Sequence, residues 1–108
     1  MILVLGSVTT SAAQFHQALA LSHAHVRRAR TVPGCLSHAV HIDGENPHRL
    51  VFVEQWQDQD SIWAHVKSAE TRAFVKALSG LATAASPTAF FDAHTIRRPP
   101  RESGPLKA

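Results

Sequence analysis

The sequence predicts an α+β fold: a four-stranded antiparallel sheet with two helical regions laid across one face. Three observations predict it. Apolar residues recur at a period of two in some stretches and near 3.6 in others. Those stretches follow one another as strand, helix, strand, then strand, helix, strand. The chain has 108 residues, 44% of them apolar and 18% charged, which is enough for one domain with a real core and too apolar for a disordered chain.

Ile2 to Thr9 is an apolar run rich in Val, Ile and Thr, and reads as a strand whose start is apolar on both faces. Thr10 or Ser11 offers a side-chain oxygen to cap the helix that follows. That helix runs to about Arg30, ahead of Pro33-Gly34. Phe15, Leu19, Ser22 and Val26 form its stripe, with Ala12, Ala18 and Ala29 beside them. Arg27 and Arg28 lie off the stripe, near the end of the helix where a cation is favoured.

Cys35 to Asp43 alternates, with Leu36, His38, Val40 and Ile42 on one side. The turn Asp43-Gly44-Glu45-Asn46-Pro47 leads into a strand from His48 to Gln57, in which Leu50, Phe52, Glu54 and Trp56 share a face. So short a turn makes the two strands an antiparallel hairpin. Asp58 to Asp60 opens a second helical region with Ile62 and Val66 on its buried line and His65 next to it. Ser68 breaks that helix and caps a second one, whose stripe is Phe74, Ala77, Leu78 and Leu81. Thr88 to Ile96, after Ser86-Pro87, reads as the last strand.

This order is the split βαβ, or ferredoxin-like, pattern. Both helical regions cover one face of the sheet, and the other face is bare although two strands are apolar on both sides. A single chain would expose more apolar sheet than monomers tolerate, so the pattern predicts a homodimer packed sheet against sheet. The domain is expected over residues 1–96, followed by a basic, Pro-rich disordered tail over 97–108. Arg97, Arg98, Arg101 and Lys107 against Glu102 place the whole net charge of +3 in that tail, and the body balances seven basic with seven acidic residues. Charge confined to a tail argues against a nucleic-acid-binding face. No apolar run is long enough to span a membrane, and the first residues make a poor signal peptide, so no membrane partner and a cytoplasmic location are expected.

Val53-Glu54-Gln55-Trp56, then Asp58, Ile62, His65, Ser68 and Phe74, resembles the antibiotic biosynthesis monooxygenase-like family. Pro33-Gly34-Cys35 ahead of the second strand fits the same pattern. The resemblance covers residues 2–96. It implies a dimeric α+β barrel, and activities that range from cofactor-independent oxygenation of quinol-like aromatics to haem degradation. The haem-degrading branch has an Asn, a Trp and a His where this sequence has Ser7, His65 and Val75, which argues against that branch.

Cofactor-independent oxygenation needs an apolar pocket, a group that takes a phenolic proton, and access for dioxygen. His65, with an imidazole suited to proton transfer near neutrality, is the candidate catalytic base; its structural alternative is a half-buried ring bonded to a carbonyl or to Glu54. Glu54 on an apolar face needs a partner. It either orients His65 or pairs with Arg27, Arg49 or Arg72. Trp56, Phe52, Trp63 and Phe74 are the candidate substrate contacts, and core packing is the other reading of the two tryptophans. The substrate expected is a small aromatic quinol.

A non-catalytic ligand-binding or structural barrel, and a small isomerase on the same scaffold, remain the alternatives. Eight histidines raise the question of a metal. His23 and His25 point roughly 200° apart on a helix, and His38 and His41 face opposite sides of a strand. Neither pair chelates locally, so no metal and no other cofactor is expected. A site assembled from distant positions, such as His38 with His94, is left open. No phosphate-binding loop is present, and Cys35 reads as a small buried hydrophobe.

Overall fold

The computed structural model describes residues 1–101. Its elements are β1 (Ile2–Thr10), a 3₁₀ turn (Ala12–Gln14), α1 (Phe15–Ala29), β2 (Cys35–Ile42), β3 (Arg49–Trp56), α2 (Gln59–Lys67), α3 (Ala69–Ser79) and β4 (Ala82–Asp92). The four strands form one antiparallel sheet in the order β2-β3-β1-β4, the ferredoxin-like arrangement. Of the expected tail, residues 97–101 follow β4 without regular structure, and 102–108 lie outside the described residues.

The helices cover one face. There, Phe15 and Ala18 of α1 and Leu78 of α3 pack on Leu50 and Phe52 of β3. A second cluster joins Ile2 and Val4 of β1, Trp56 of β3 and Ile62 of α2. The opposite face carries Leu3 and Leu5, paired across the ladder with Gln55 and Val53 on one side and with Phe91 and Ala89 on the other. None of the described residues covers that face, and Leu5 and Phe91 are 38% and 47% exposed.

Three local expectations change. Ser11 precedes α1 but makes no side-chain cap bond; the helix opens through the 3₁₀ turn, and the Thr10 hydroxyl donates to the Ser11 carbonyl instead. In α2 the buried residues are Ile62 and His65, and Val66 is 39% exposed. The last strand begins at Ala82, well before Thr88, and runs through Ser86-Pro87. It can do so because β4 is an edge strand, where a missing amide proton costs no ladder bond. The ladder also slips there: Leu5 faces Ala89 and Ser7 faces Ser86, which leaves Pro87 and Thr88 in a bulge.

Capping at the second helical region follows the sequence. The Asp58 carboxylate accepts from the Ser61 amide at 2.8 Å. The Ser68 hydroxyl accepts from the Thr71 amide at 3.2 Å, ending α2 and starting α3. These two caps fix how α2 presents His65 and how α3 presents Thr71 and Phe74.

Candidate active site

Between the helices and the sheet lies a cavity of about 630 Å³, within the range of small-molecule sites. Val4, Val8, Phe52, Ile62, Val66 and Phe74 make its walls apolar, and β4 contributes Ala85, Thr88 and Phe90 along its outer side. Six titratable side chains line it: His25, His38, Glu54 and His65, which cluster together, and Arg72 and Lys76 of α3.

Each arrives there for a local reason. His25 follows Ala18 and Ser22 down the same face of α1, at helical spacing, and is buried with them. His38 is the inward residue of β2 directly opposite Glu54 in the β2–β3 ladder. Glu54 sits two residues before Trp56 on the inward face of β3. His65 lies one helical turn after Ile62 on α2.

The contacts are close. His38 Nε2 lies 3.1 Å from Glu54 Oε1, in ion-pair range but outside hydrogen-bond geometry, so neither ring nitrogen of this buried His38 has a hydrogen-bond partner. Trp56 Nε1–H donates to the same carboxylate oxygen at 2.9 Å. His65 stacks on the Trp56 indole at 4.6 Å between ring centres, and His25 stacks flat on Phe74 at 3.9 Å.

Thr71 Oγ1 stands 3.4 Å from His65 Nδ1. The Ser68 hydroxyl is placed to donate to the His65 carbonyl at 2.8 Å and to Thr71 Oγ1 at 2.9 Å. In the tautomer with its proton on Nδ1, His65 donates to Thr71 Oγ1 and presents its lone pair on Nε2.

Burial keeps the His25 and His65 imidazoles neutral. His25 is pushed down to about 3 by burial first, then by His38, Arg28 and His65, with Glu54 opposing. The Arg28 guanidinium contributes directly, with Nη2 2.6 Å from His25 Nδ1. His65 is also lowered, by burial first; Glu54 opposes the shift, and His38 and Arg28 add to it. Burial pushes the Glu54 carboxyl up, but His38, the Trp56 bond and His65 outweigh it and leave the group below its ordinary value. At neutral pH the site therefore offers neutral imidazole lone pairs beside a carboxylate.

The residues expected from sequence divide. His65, Glu54, Phe52 and Phe74 line the cavity. Trp56 does not: it is fully buried behind His65 and supports the site from the core. Trp63 also stands outside the lining, half-exposed, against the ring of Phe90 at 5.0 Å. Glu54 meets His38 and not an arginine; Arg49 is held by Asp43 at 2.8 Å. His25 is a site residue that the sequence does not single out, and His38 meets His25 and His65 rather than His94.

The sequence model of the antibiotic biosynthesis monooxygenase family matches residues 1–77. No curated protein matches the chain. The fold is similar to that of a Deinococcus radiodurans protein bearing the same family name, with a TM-score of 0.85, 20% identity, and 91% of this chain and 97% of that one covered. A Nitrosomonas europaea protein of that name superposes with a TM-score of 0.78 at 11% identity, covering 86% of this chain and 98% of that one. A conserved protein of Methanosarcina mazei superposes with a TM-score of 0.79 at 20% identity, over 83% and 89% of the two chains. At such identities the likeness speaks for the fold, and the family rests on the sequence match over most of the domain: the chain belongs to the antibiotic biosynthesis monooxygenase family.

Proposed function

We propose that the chain is an oxygenase of small, electron-rich aromatic substrates of the quinol class. One observation carries this reading: an apolar cavity wide enough for a flat ring system has neutral imidazoles and a carboxylate converging within it. In the reaction proposed, a ring hydroxyl of the quinol gives its proton to His65 Nε2, and the neighbouring Glu54 carboxylate stabilises the imidazolium so formed. The electron-rich anion supplies electrons to dioxygen, and a ring carbon forms a C–O bond. Cleavage of the O–O bond leaves one oxygen on the ring and releases the other as water. A quinol and one dioxygen thus give a hydroxyquinone and one water, with all four electrons drawn from the substrate, so neither flavin nor haem is called for.

Phe52 and Phe74 are the ring-contacting walls in this reading, Trp56 holds the plane of His65, and Trp63 flanks the outer side through Phe90. Two chains are proposed to pair through the uncovered sheet face, each keeping its own cavity. Among the described residues no helix is long and apolar enough to cross a membrane.

Oxygen uptake by chelator-treated protein, over a panel of hydroquinones, tests the reading. Uptake that falls at least about a hundredfold in His65→Ala is expected, the usual contribution of a positioned acid–base group. Binding of the same quinols without any uptake would replace the oxygenase with a ligand-binding module.

A further inference from the structure

His25, His38 and His65 come from three different elements, yet their ring centres lie 5.3, 5.4 and 5.9 Å apart. One nitrogen of each ring falls within 4.8 Å of the other two. Three imidazoles on one tetrahedral ion at about 2.0–2.1 Å place their ring centres roughly 5 Å apart and their nitrogens roughly 3.3 Å apart. The centres already have that spacing, and small ring rotations close the gap between nitrogens.

The surroundings fit the same purpose. All three rings are more than nine-tenths buried, and His38 Nδ1, on the side of the ring away from Glu54, has no hydrogen-bond partner among the described residues, a costly state for a polar group that an ion would relieve. Two of the three rings have an outer partner of the kind that orients metal-bound histidines: Glu54 beside His38 and Thr71 beside His65. All three also line the cavity, which leaves room for a fourth ligand, the mark of an open site. Arg28 opposes a cation, since its guanidinium touches His25; it also reaches Glu70 at 3.8 Å, which gives it a place to swing when an ion displaces it.

We propose that His25, His38 and His65 bind a divalent first-row transition ion of the imidazole-preferring class, such as Zn(II). The proposal concerns binding and does not rest on the oxygenase reading. The two share His65, so a seated ion takes the lone pair that the metal-free chain uses as a base.

Calorimetric titration of Zn(II) into the untagged, chelator-stripped full chain, with no aromatic present, tests it. One equivalent is expected to bind, and to lose at least a hundredfold in affinity in His25→Gln, His38→Gln and His65→Gln. The exposed His23→Gln and His41→Gln should bind as the parent does. Two milder variants keep the test decisive should the cluster variants fail to fold. Thr71→Val, which removes an outer partner, should weaken binding about tenfold, and Arg28→Met, which removes the opposing charge, should tighten it. The proposal is overturned if the parent takes up no Zn(II), if uptake is lost in His23→Gln or His41→Gln, or if neither Thr71→Val nor Arg28→Met changes it.

Discussion

Trp56 supports the cavity without touching its contents. Its indole is fully buried, lies under His65 and donates to Glu54. Trp56→Ala should destabilise the chain by about 3–5 kcal/mol, read as a shifted urea midpoint, because it removes a large core side chain and one of the donors to a buried carboxylate. The titratable groups set a pH dependence whose sign is the same for each. His25, His65 and Glu54 all have folded values below their ordinary ones. Below pH 6.5 the unfolded chain therefore takes up protons that the folded, metal-free site refuses. Stability should be flat above that pH and fall as the pH drops toward 3, each refused proton adding up to about 1.4 kcal/mol per pH unit. Urea midpoints at a series of pH values read this directly, and a midpoint unchanged between pH 7 and 4 would contradict it. Glu54 and His65 were legible in the sequence because a carboxylate and a histidine beside apolar stripes stand out, whereas Trp56, expected to touch substrate, lies in the core. His25 was not legible, and His38 was so only as a partner for His94, since each looks ordinary on its own element. Only the ladder register, which sets His38 opposite Glu54, and the packing of α1 on β2 bring them to the same point.

The elements hold that point in place through a few backbone positions. Gly34, between α1 and β2, has φ +88, and a Cβ there would sit 2.1 Å from Ser61 Oγ, so it must stay small both for its conformation and for α2. Gly34→Ala should cost about 1–3 kcal/mol in stability, measured by thermal or urea unfolding. Ser68→Ala removes the cap that separates α2 from α3 and should cost about 1 kcal/mol. It should also lower turnover, since Ser68 anchors both the His65 carbonyl and Thr71. Most elements were legible from periodicity and caps, and β4 was the exception. Its early residues are small and largely exposed, so no alternation marked them, and Pro87 argued against a strand that only an edge position permits.

At the scale of the whole molecule, the sheet face away from the helices is the surface through which pairing is proposed. Leu3, Leu5, Val53 and Phe91 lie on it, and none of the described residues stands above them. Two such faces together would form the sandwich that the sequence pattern calls for. Sedimentation of the parent should show a dimer, and Leu5→Glu should shift it to single chains, a like charge being brought against its copy in the buried seam. The cavity belongs to each chain separately, so quinol binding should survive that shift. The central claim is the use made of the cavity, and labelled dioxygen tests it most directly. With a quinol substrate turned over under ¹⁸O₂, one labelled atom should enter the quinone product and the other should leave as water. Product carrying no label, with hydrogen peroxide released in its place, would contradict the account.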